Sequence, residues 1–210
     1  MRLFIQAEES SALLWFCQIL IALSVCTVLV AVFMDFYHFD ARANTARQQR
    51  SFVATGSMFG FYLIYYLVIM LHIGTWPHLQ SLAGIVSGTI MIICGAAMNI
   101  IGRLQLGSNW ANQIKIYSDH RLVRHGVYAL VRHPLYASLM LMMLGGSLTY
   151  VNWLSALLTI GIFIPMMNYR ARQEETLLLT TFPEYAEYCL KTGRFFPRLD
   201  IKGGMPSGKL

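Results

Sequence analysis

Five stretches of the chain are almost free of charge, and short polar segments separate them. Ser11 to Met34, Ser51 to Ile73 and Leu79 to Gly102 are each long enough to cross a bilayer as a helix, which takes about 20 mainly apolar residues. Pro134 to Tyr150 and Trp153 to Tyr169 are shorter and lie only Val151 and Asn152 apart, so they predict a tight helical hairpin. Each run is hydrophobic on nearly every side, which distinguishes lipid-embedded helices from amphipathic surface ones. The pattern predicts an all-α fold: a polytopic membrane helix bundle with five transmembrane helices. Gly56-Ser-Met-Phe-Gly60 and Gly84-Ile-Val-Ser-Gly88 have the GxxxG spacing that lets helix backbones approach closely, and we read both as packing.

Composition agrees. Of 210 residues, 56% are hydrophobic and only 12% charged, about half the share of roughly 25% in soluble domains. An ordinary soluble enzyme and a disordered tail are both excluded. The net charge of +6 is a topology signal. Arg42, Arg47 and Arg50 fall between the first two runs. Arg103, Lys115, Arg121, Arg124 and Arg132 fall between the third and fourth, and every later Lys and Arg follows the fifth. Only Arg2 lies elsewhere. The positive-inside rule then predicts an outside N-terminus and a cytoplasmic C-terminus, with no nucleic-acid partner. Cys17, Cys26, Cys94 and Cys189 have neither metal nor CxxC spacing. Glu8 and Glu9 ahead of the first run predict no cleavable signal peptide.

The chain divides into 1–105, carrying the first three helices; 106–200, a catalytic region; and 201–210, a loose tail. Polar residues gather in the second part, on the cytoplasmic side. Pro134 suits the first turn of a helix, where its missing N–H costs nothing. His133 and Arg132 then stand at the positive end of the helix dipole, suited to an anionic or electron-rich group. A plain helix start with headgroup-level Arg and His is the blander alternative. Arg170 and Glu174 can share a helix face, either as a simple i,i+4 ion pair or as part of a pocket shared with the start of the fourth helix. Ionisable groups at membrane depth usually mark function. The histidines match no metal-ligand spacing, and no metal is expected.

The stretch Gly126-Val-Tyr-Ala-Leu-Val-Arg-His-Pro-Leu-Tyr136, then Arg170-x-x-x-Glu-Glu-x-x-Leu178, then Phe182-Pro-Glu-Tyr-Ala-Glu-Tyr188 and Lys191-Thr-Gly-Arg-Phe-Phe-Pro197, resembles the isoprenylcysteine carboxyl methyltransferase family. The likeness is strongest to its short five-span prokaryotic members and covers roughly Leu106 to Pro197. It implies a cytoplasmic pocket for S-adenosyl-L-methionine built from Gln113, His120, Arg121, Leu122, Val123, Tyr128, His133, Pro134, Leu135, Tyr136 and Glu174. Arg121 sits where the family varies, so its contact is expected through backbone. Arg170 matches the arginine that faces the prenylated substrate, and Arg170 and Glu174 are the expected catalytic pair. Ala137 stands where many relatives carry another small residue, often Gly.

The implied chemistry suits these residue types. A carboxylate is already ionised at neutral pH and needs no general base to attack a methyl sulfonium; it needs positioning and a countercharge. The Arg170 fork can supply that charge, and Glu174 can hold the α-ammonium of the methyl donor. The expected acceptor is the carboxylate of a prenylated cysteine or similar lipid-linked acid, entering from the bilayer among membrane lipids. The alternatives are methylation of a phospholipid or small lipophilic amine or thiol, a nicotinamide-dependent sterol-reductase-like enzyme, which Glu174-Glu175 fits poorly, and a lipid-binding scaffold without chemistry. The expected location is the inner membrane of a prokaryotic cell, or the endoplasmic reticulum of a eukaryotic one.

Overall fold

The five apolar runs are helical, and they differ in length enough to matter. In the computed structural model, residues 2–39, 45–49, 52–107, 114–117 and 122–198 are described. In chain order the elements are α1 (Arg2–Phe39), β1 (Thr45–Gln49), α2 (Phe52–Met70), α3 (Leu82–Leu106), β2 (Ile114–Tyr117), α4 (Val127–Leu130) and α5 (Pro134–Thr149). Then follow α6 (Trp153–Leu158), a π turn (Thr159–Phe163), α7 (Ile164–Thr181) and α8 (Tyr185–Lys191).

Three helical segments are long and apolar enough to cross a membrane: Leu14–Ala31 within α1, Leu82–Leu106, and Trp153–Thr181. Gly60–Met70, the latter part of the 19-residue α2, is also apolar, and Pro134–Thr149 is a shorter apolar helix. The 16 residues of α5 rise about 24 Å at 1.5 Å each, short of a hydrocarbon core of about 30 Å. Of the two runs expected to be shorter, the fourth is a short helix, whereas the fifth belongs to a segment of 29 residues.

A second departure is the antiparallel ribbon of β1 and β2, with Arg47 opposite Ile116 and Gln49 opposite Ile114. Ile114-Lys-Ile-Tyr117 alternates β-branched and aromatic residues with a polar one, a strand pattern too short to register at helix scale. The ribbon ties the connector after α1 to the connector after α3, so both lie at one end of the bundle.

α3 and α5 form the most extensive helix pair, and small residues allow it. A Cβ at Gly145 would lie 2.7 Å from the Gly88 carbonyl oxygen, and one at Gly88 would lie 2.5 Å from that of Gly145. Neither position has room for a side chain. The second GxxxG spacing therefore packs through Gly88, as its sequence suggests. Gly60, from the first, has nothing within 4 Å of a built Cβ among the described residues. Beside this seam Phe61 and Tyr65 of α2, Met140 and Met143 of α5, Phe163 and Met167 make one buried cluster. Its Phe61 and Phe163 rings stack at 5.0 Å, and Tyr65 donates to the Met143 carbonyl at 2.6 Å.

The last apolar run does not stop at Tyr169. Its helix passes through the π turn, where the Ile164 N–H reaches back five residues to Thr159, and accommodates Pro165, which has no N–H to give. It then continues to Thr181. Arg170, Glu174 and Glu175 therefore ride on a rigid extension of a membrane helix.

Candidate active site

Local sequence sets up the site. Gly126, at φ +61°, makes a turn against Gln105, whose Oε1 accepts from the Val127 N–H at 3.0 Å. A side chain at Gly126 would collide with that glutamine. The turn starts α4, and three residues separate its end from the start of α5 at Pro134. In between, the Arg132 N–H donates to the Gly193 carbonyl at 2.8 Å and the His133 N–H to the Arg194 carbonyl at 3.0 Å. The C-terminal segment thus runs alongside the start of α5, with Val131 and Gly193 bridged in parallel.

His133 is buried between two carboxylates of α7. Its Nδ1 is 3.5 Å from Glu174 Oε2, and its Nε2 is 3.2 Å from Glu175 Oε1. Its ring stacks on Tyr136, with centroids 5.5 Å apart and planes 10° apart, and Phe195 covers it from the C-terminal segment at 6.0 Å. Burial pulls the imidazole pKa down, but the facing Glu174 and Glu175 carboxylates outweigh it and hold it above the ordinary histidine value. Burial also pushes the Tyr128 hydroxyl well above its usual range, and the Glu174 carboxylate adds to that.

Tyr136 stands between Arg170 and Glu174. Arg170 Nε donates to the Tyr136 hydroxyl at 3.0 Å, and that hydroxyl donates to Glu174 Oε2 at 3.1 Å. The two α7 residues expected to share a face are therefore linked through a tyrosine from α5. The His133 and Tyr136 contacts both fall on Oε2 of Glu174, and the side chain is 36% exposed. Glu175, next in the chain, is only 9% exposed. It takes Arg132 Nη2 at 3.0 Å and Arg194 Nη2 at 2.6 Å. One glutamate is partly exposed and its neighbour is bonded closely to the protein.

Of the expected site residues, His133, Tyr136, Arg170 and Glu174 come together, with Tyr128 close to Glu174 and Tyr136. Pro134 and Leu135 point at α3, 3.6 and 3.1 Å from a Cβ built on Gly102. Leu122 and Val123 are half-buried on the connector before Gly126. Gln113, His120 and Arg121 lie outside the described residues. Arg194 escaped the sequence reading as a participant, and so did the pairing of Glu175 with Arg132. The adjacent acid, the arginine before His133 and the Lys191-Thr-Gly-Arg194 ending were visible, but only the fold brings the last of these to the first two.

Apolar helices long enough to span, with ionic residues gathered at one end of a hairpin, define an integral membrane protein with a polar site. Residues 88–180 match the model of the isoprenylcysteine carboxyl methyltransferase family. It is 38% identical over 135 residues to the cobalt-zinc-cadmium resistance protein CzcN of Cupriavidus metallidurans, covering 62% of this chain and 56% of that one. It is 33% identical over 115 residues to the protein-S-isoprenylcysteine O-methyltransferase of Saccharomyces cerevisiae, covering 53% and 48%. The solved structure of a eukaryotic intramembrane Ras methyltransferase superposes with a TM-score of 0.52 at 26% identity, over 71% of this chain and 53% of that one. The chain spans about half the length of the curated relatives it matches.

Proposed function

We propose that the protein is an integral-membrane methyltransferase that uses S-adenosyl-L-methionine to methylate the carboxylate of a prenylated cysteine or a similar lipid-linked acid. The observation that carries this reading is the hydrogen-bonded chain from Arg170 through Tyr136 to Glu174, with His133 behind it. It puts a cation suited to a carboxylate and a carboxylate suited to an ammonium on opposite sides of one hydroxyl. The family match over residues 88–180 and the likeness to the Saccharomyces cerevisiae relative support the activity.

The residues present fit the donor. Glu174, whose side chain is partly exposed, would hold its α-ammonium. Tyr128 and the start of α5 would border it, and Gln113, His120, Arg121, Leu122 and Val123 are assigned to the same pocket. When bound, the donor supplies a methyl group on an electrophilic sulfonium. Arg170 binds and orients the acceptor carboxylate, whose bidentate recognition a guanidinium favours. Because that carboxylate is ionised at neutral pH, no residue needs to act as a base. His133 and Tyr136 keep Glu174 in place.

We further assign five membrane crossings, with the ribbon end and the site on the cytoplasmic side. Residues 1–105 form the supporting part, 106–200 the catalytic part and 201–210 a tail. Two observations support the alternation: β1 pairs with β2 at one end, and Thr75 bridges Asn152 at the other. The acceptor enters from the bilayer. The test is transfer of labelled methyl from S-adenosylmethionine by the purified protein, to a farnesylcysteine analogue and, in parallel, to phosphatidylethanolamine. Labelling of the first is expected. Labelling of the second alone overturns the carboxylate assignment.

A further inference from the structure

Glu175 has no role in the mechanism above, yet it is the most heavily bonded carboxylate in the described structure. Its Oε1 accepts from Arg132 Nε at 3.1 Å and Nη2 at 3.0 Å, from Arg194 Nε at 3.1 Å, and lies 3.2 Å from His133 Nε2. Its Oε2 accepts from Arg194 Nη2 at 2.6 Å. The two arginines are themselves anchored. Arg132 Nη1 donates to the carbonyls of Cys189, at 3.1 Å, and Thr192, and Arg194 Nη1 donates to Asn168 Oδ1 at 2.7 Å. One carboxylate thus joins α5, α7, the end of α8 and the C-terminal segment.

Its effect on His133 follows from proton counting. A neutral imidazole has one N–H and one lone pair. Here a carboxylate oxygen faces each ring nitrogen, so only the doubly protonated ring can donate to both. The groups facing His133 are Glu174 and Glu175 from α7, Tyr136 from α5, and Phe195 from the C-terminal segment, with Arg132 and Arg194 beyond Glu175. Successive residues on a helix are about 100° apart. Glu174 and Glu175 can therefore reach opposite nitrogens of one ring while only Glu174 reaches Tyr136.

We propose that Glu175 is a positioning residue that acts through His133. It keeps the ring a donor at both nitrogens, so that Glu174 stays fixed on its inner oxygen, and it clamps the Gly193–Phe195 segment over the same ring. The part concerning ligand binding rests on the assignment of Glu174 to the methyl donor. The clamp itself does not.

The experiment uses the full chain in detergent and compares wild type, Glu175→Gln, Glu175→Asp and Arg194→Gln. Without ligand, melting temperature is followed against pH. A histidine whose folded pKa is raised gives its full stabilisation below its ordinary value, near 6.5, and loses it as pH rises through the folded value. Glu175→Gln should move this loss to lower pH, and Glu175→Asp should restore part of it. Amide exchange at Arg132 and His133 should rise in Glu175→Gln and in Arg194→Gln, since both release the segment that accepts those N–H groups. Affinity for S-adenosylmethionine should then fall about tenfold in Glu175→Gln, the size of one hydrogen bond to a charged group, and recover in part in Glu175→Asp.

An unmoved alkaline limb with unchanged exchange overturns the proposal. A moved limb with unchanged cofactor affinity overturns the positioning role and leaves a structural knot. Wild type that fails to bind S-adenosylmethionine overturns the proposed function, while the ligand-free measurements still decide the clamp. If Glu175→Gln does not fold, Glu175→Asp and Arg194→Gln decide: the first must shift the limb and the second the exchange.

Discussion

At the Val151–Asn152 end of the hairpin, the helices are closed by neutral groups matched one to one. Asn152 accepts from the Ser155 N–H at 2.8 Å and donates to the Ile73 carbonyl and the Thr75 hydroxyl, each at 2.9 Å. Ser155 donates to Ser147 at 2.8 Å, and all these side chains but Thr75 are buried. At the His133–Glu175 end, closure uses two carboxylates, two arginines and a histidine, and one carboxylate stays partly open. Both ends bring the same helices together. Neutral hydrogen bonds do it without the desolvation cost of buried charge, which is several kcal/mol per ion. The ionic end is therefore more than closure: a charged set with a partly exposed carboxylate suits a charged ligand, and ionisable groups at membrane depth usually serve one.

The sharpest way to break this comparison is at Arg170. Truncating one partner of a desolvated charge pair costs about 2–5 kcal/mol, and each 1.36 kcal/mol is tenfold in rate. Arg170→Ala should lower methylation of a farnesylcysteine analogue by about two orders of magnitude or more. Arg170→Lys should recover only part, because an ammonium lacks the fork. Methyl transfer on matched preparations checks this, and intact turnover in Arg170→Ala would remove the acceptor assignment.

Next comes the open carboxylate. A hydrogen bond to a charged group is worth about 1.5–3 kcal/mol, so Glu174→Gln should weaken S-adenosylmethionine binding by about ten- to a hundredfold. His133→Ala should weaken it in the same direction. His72→Ala and His78→Ala, at the neutral end, should leave it unchanged. Calorimetry on all four variants decides, and equal affinities would refute the site.

The two ends were unequally legible in the sequence. Hydrophobic runs of a membrane helix announce themselves, and all five proved helical, although the first begins earlier and the fifth runs on well past its expected end. Pro134 at the start of α5 and the close approach at Gly88 could likewise be read from local residue types. The neutral end was signalled only by the two-residue gap at Val151-Asn152; nothing local says that Asn152 reaches Thr75. At the ionic end, Arg170 and Glu174 stood out by helical spacing, but the spacing suggested a direct pair and could not reveal Tyr136 between them. Glu175 was read as a neighbour of Glu174 because sequence adjacency hides a turn of about 100°. Arg194 was invisible as a partner, since its contact to Glu175 depends on how the C-terminal segment returns beside α5. The β1–β2 ribbon was missed because four or five residues of strand carry little pattern.

A third test attacks the neutral end. Removing the Asn152 side chain leaves buried donors and acceptors unpaired, at about 1–3 kcal/mol. Asn152→Ala should lower the melting temperature by several degrees, at about 2–4 °C per kcal/mol for a chain of this size. Cofactor affinity should not change beyond what the lost stability brings. A variant that melts normally yet binds poorly would invert the roles assigned to the two ends.

The smallest expected effect is at Tyr136, and it asks whether the ionic end works as one unit. The hydroxyl accepts from Arg170 and donates to Glu174, so whatever neutralises Arg170 also changes what Glu174 receives. Tyr136→Phe removes both bonds and keeps a ring to stack on His133. The hydroxyl acts on each ligand only through Arg170 or Glu174, so each ligand alone should bind only a few-fold more weakly. The informative quantity is the coupling between them. In wild type, a farnesylcysteine analogue should change the affinity for S-adenosylhomocysteine, which blocks turnover, and the reverse effect must be equal by linkage. In Tyr136→Phe that mutual effect should shrink toward none while the separate affinities change little. Calorimetric titration of each ligand with and without the other measures it. Equal coupling in the two proteins would mean that Arg170 and Glu174 communicate by another route and that the hydroxyl only fills space between them.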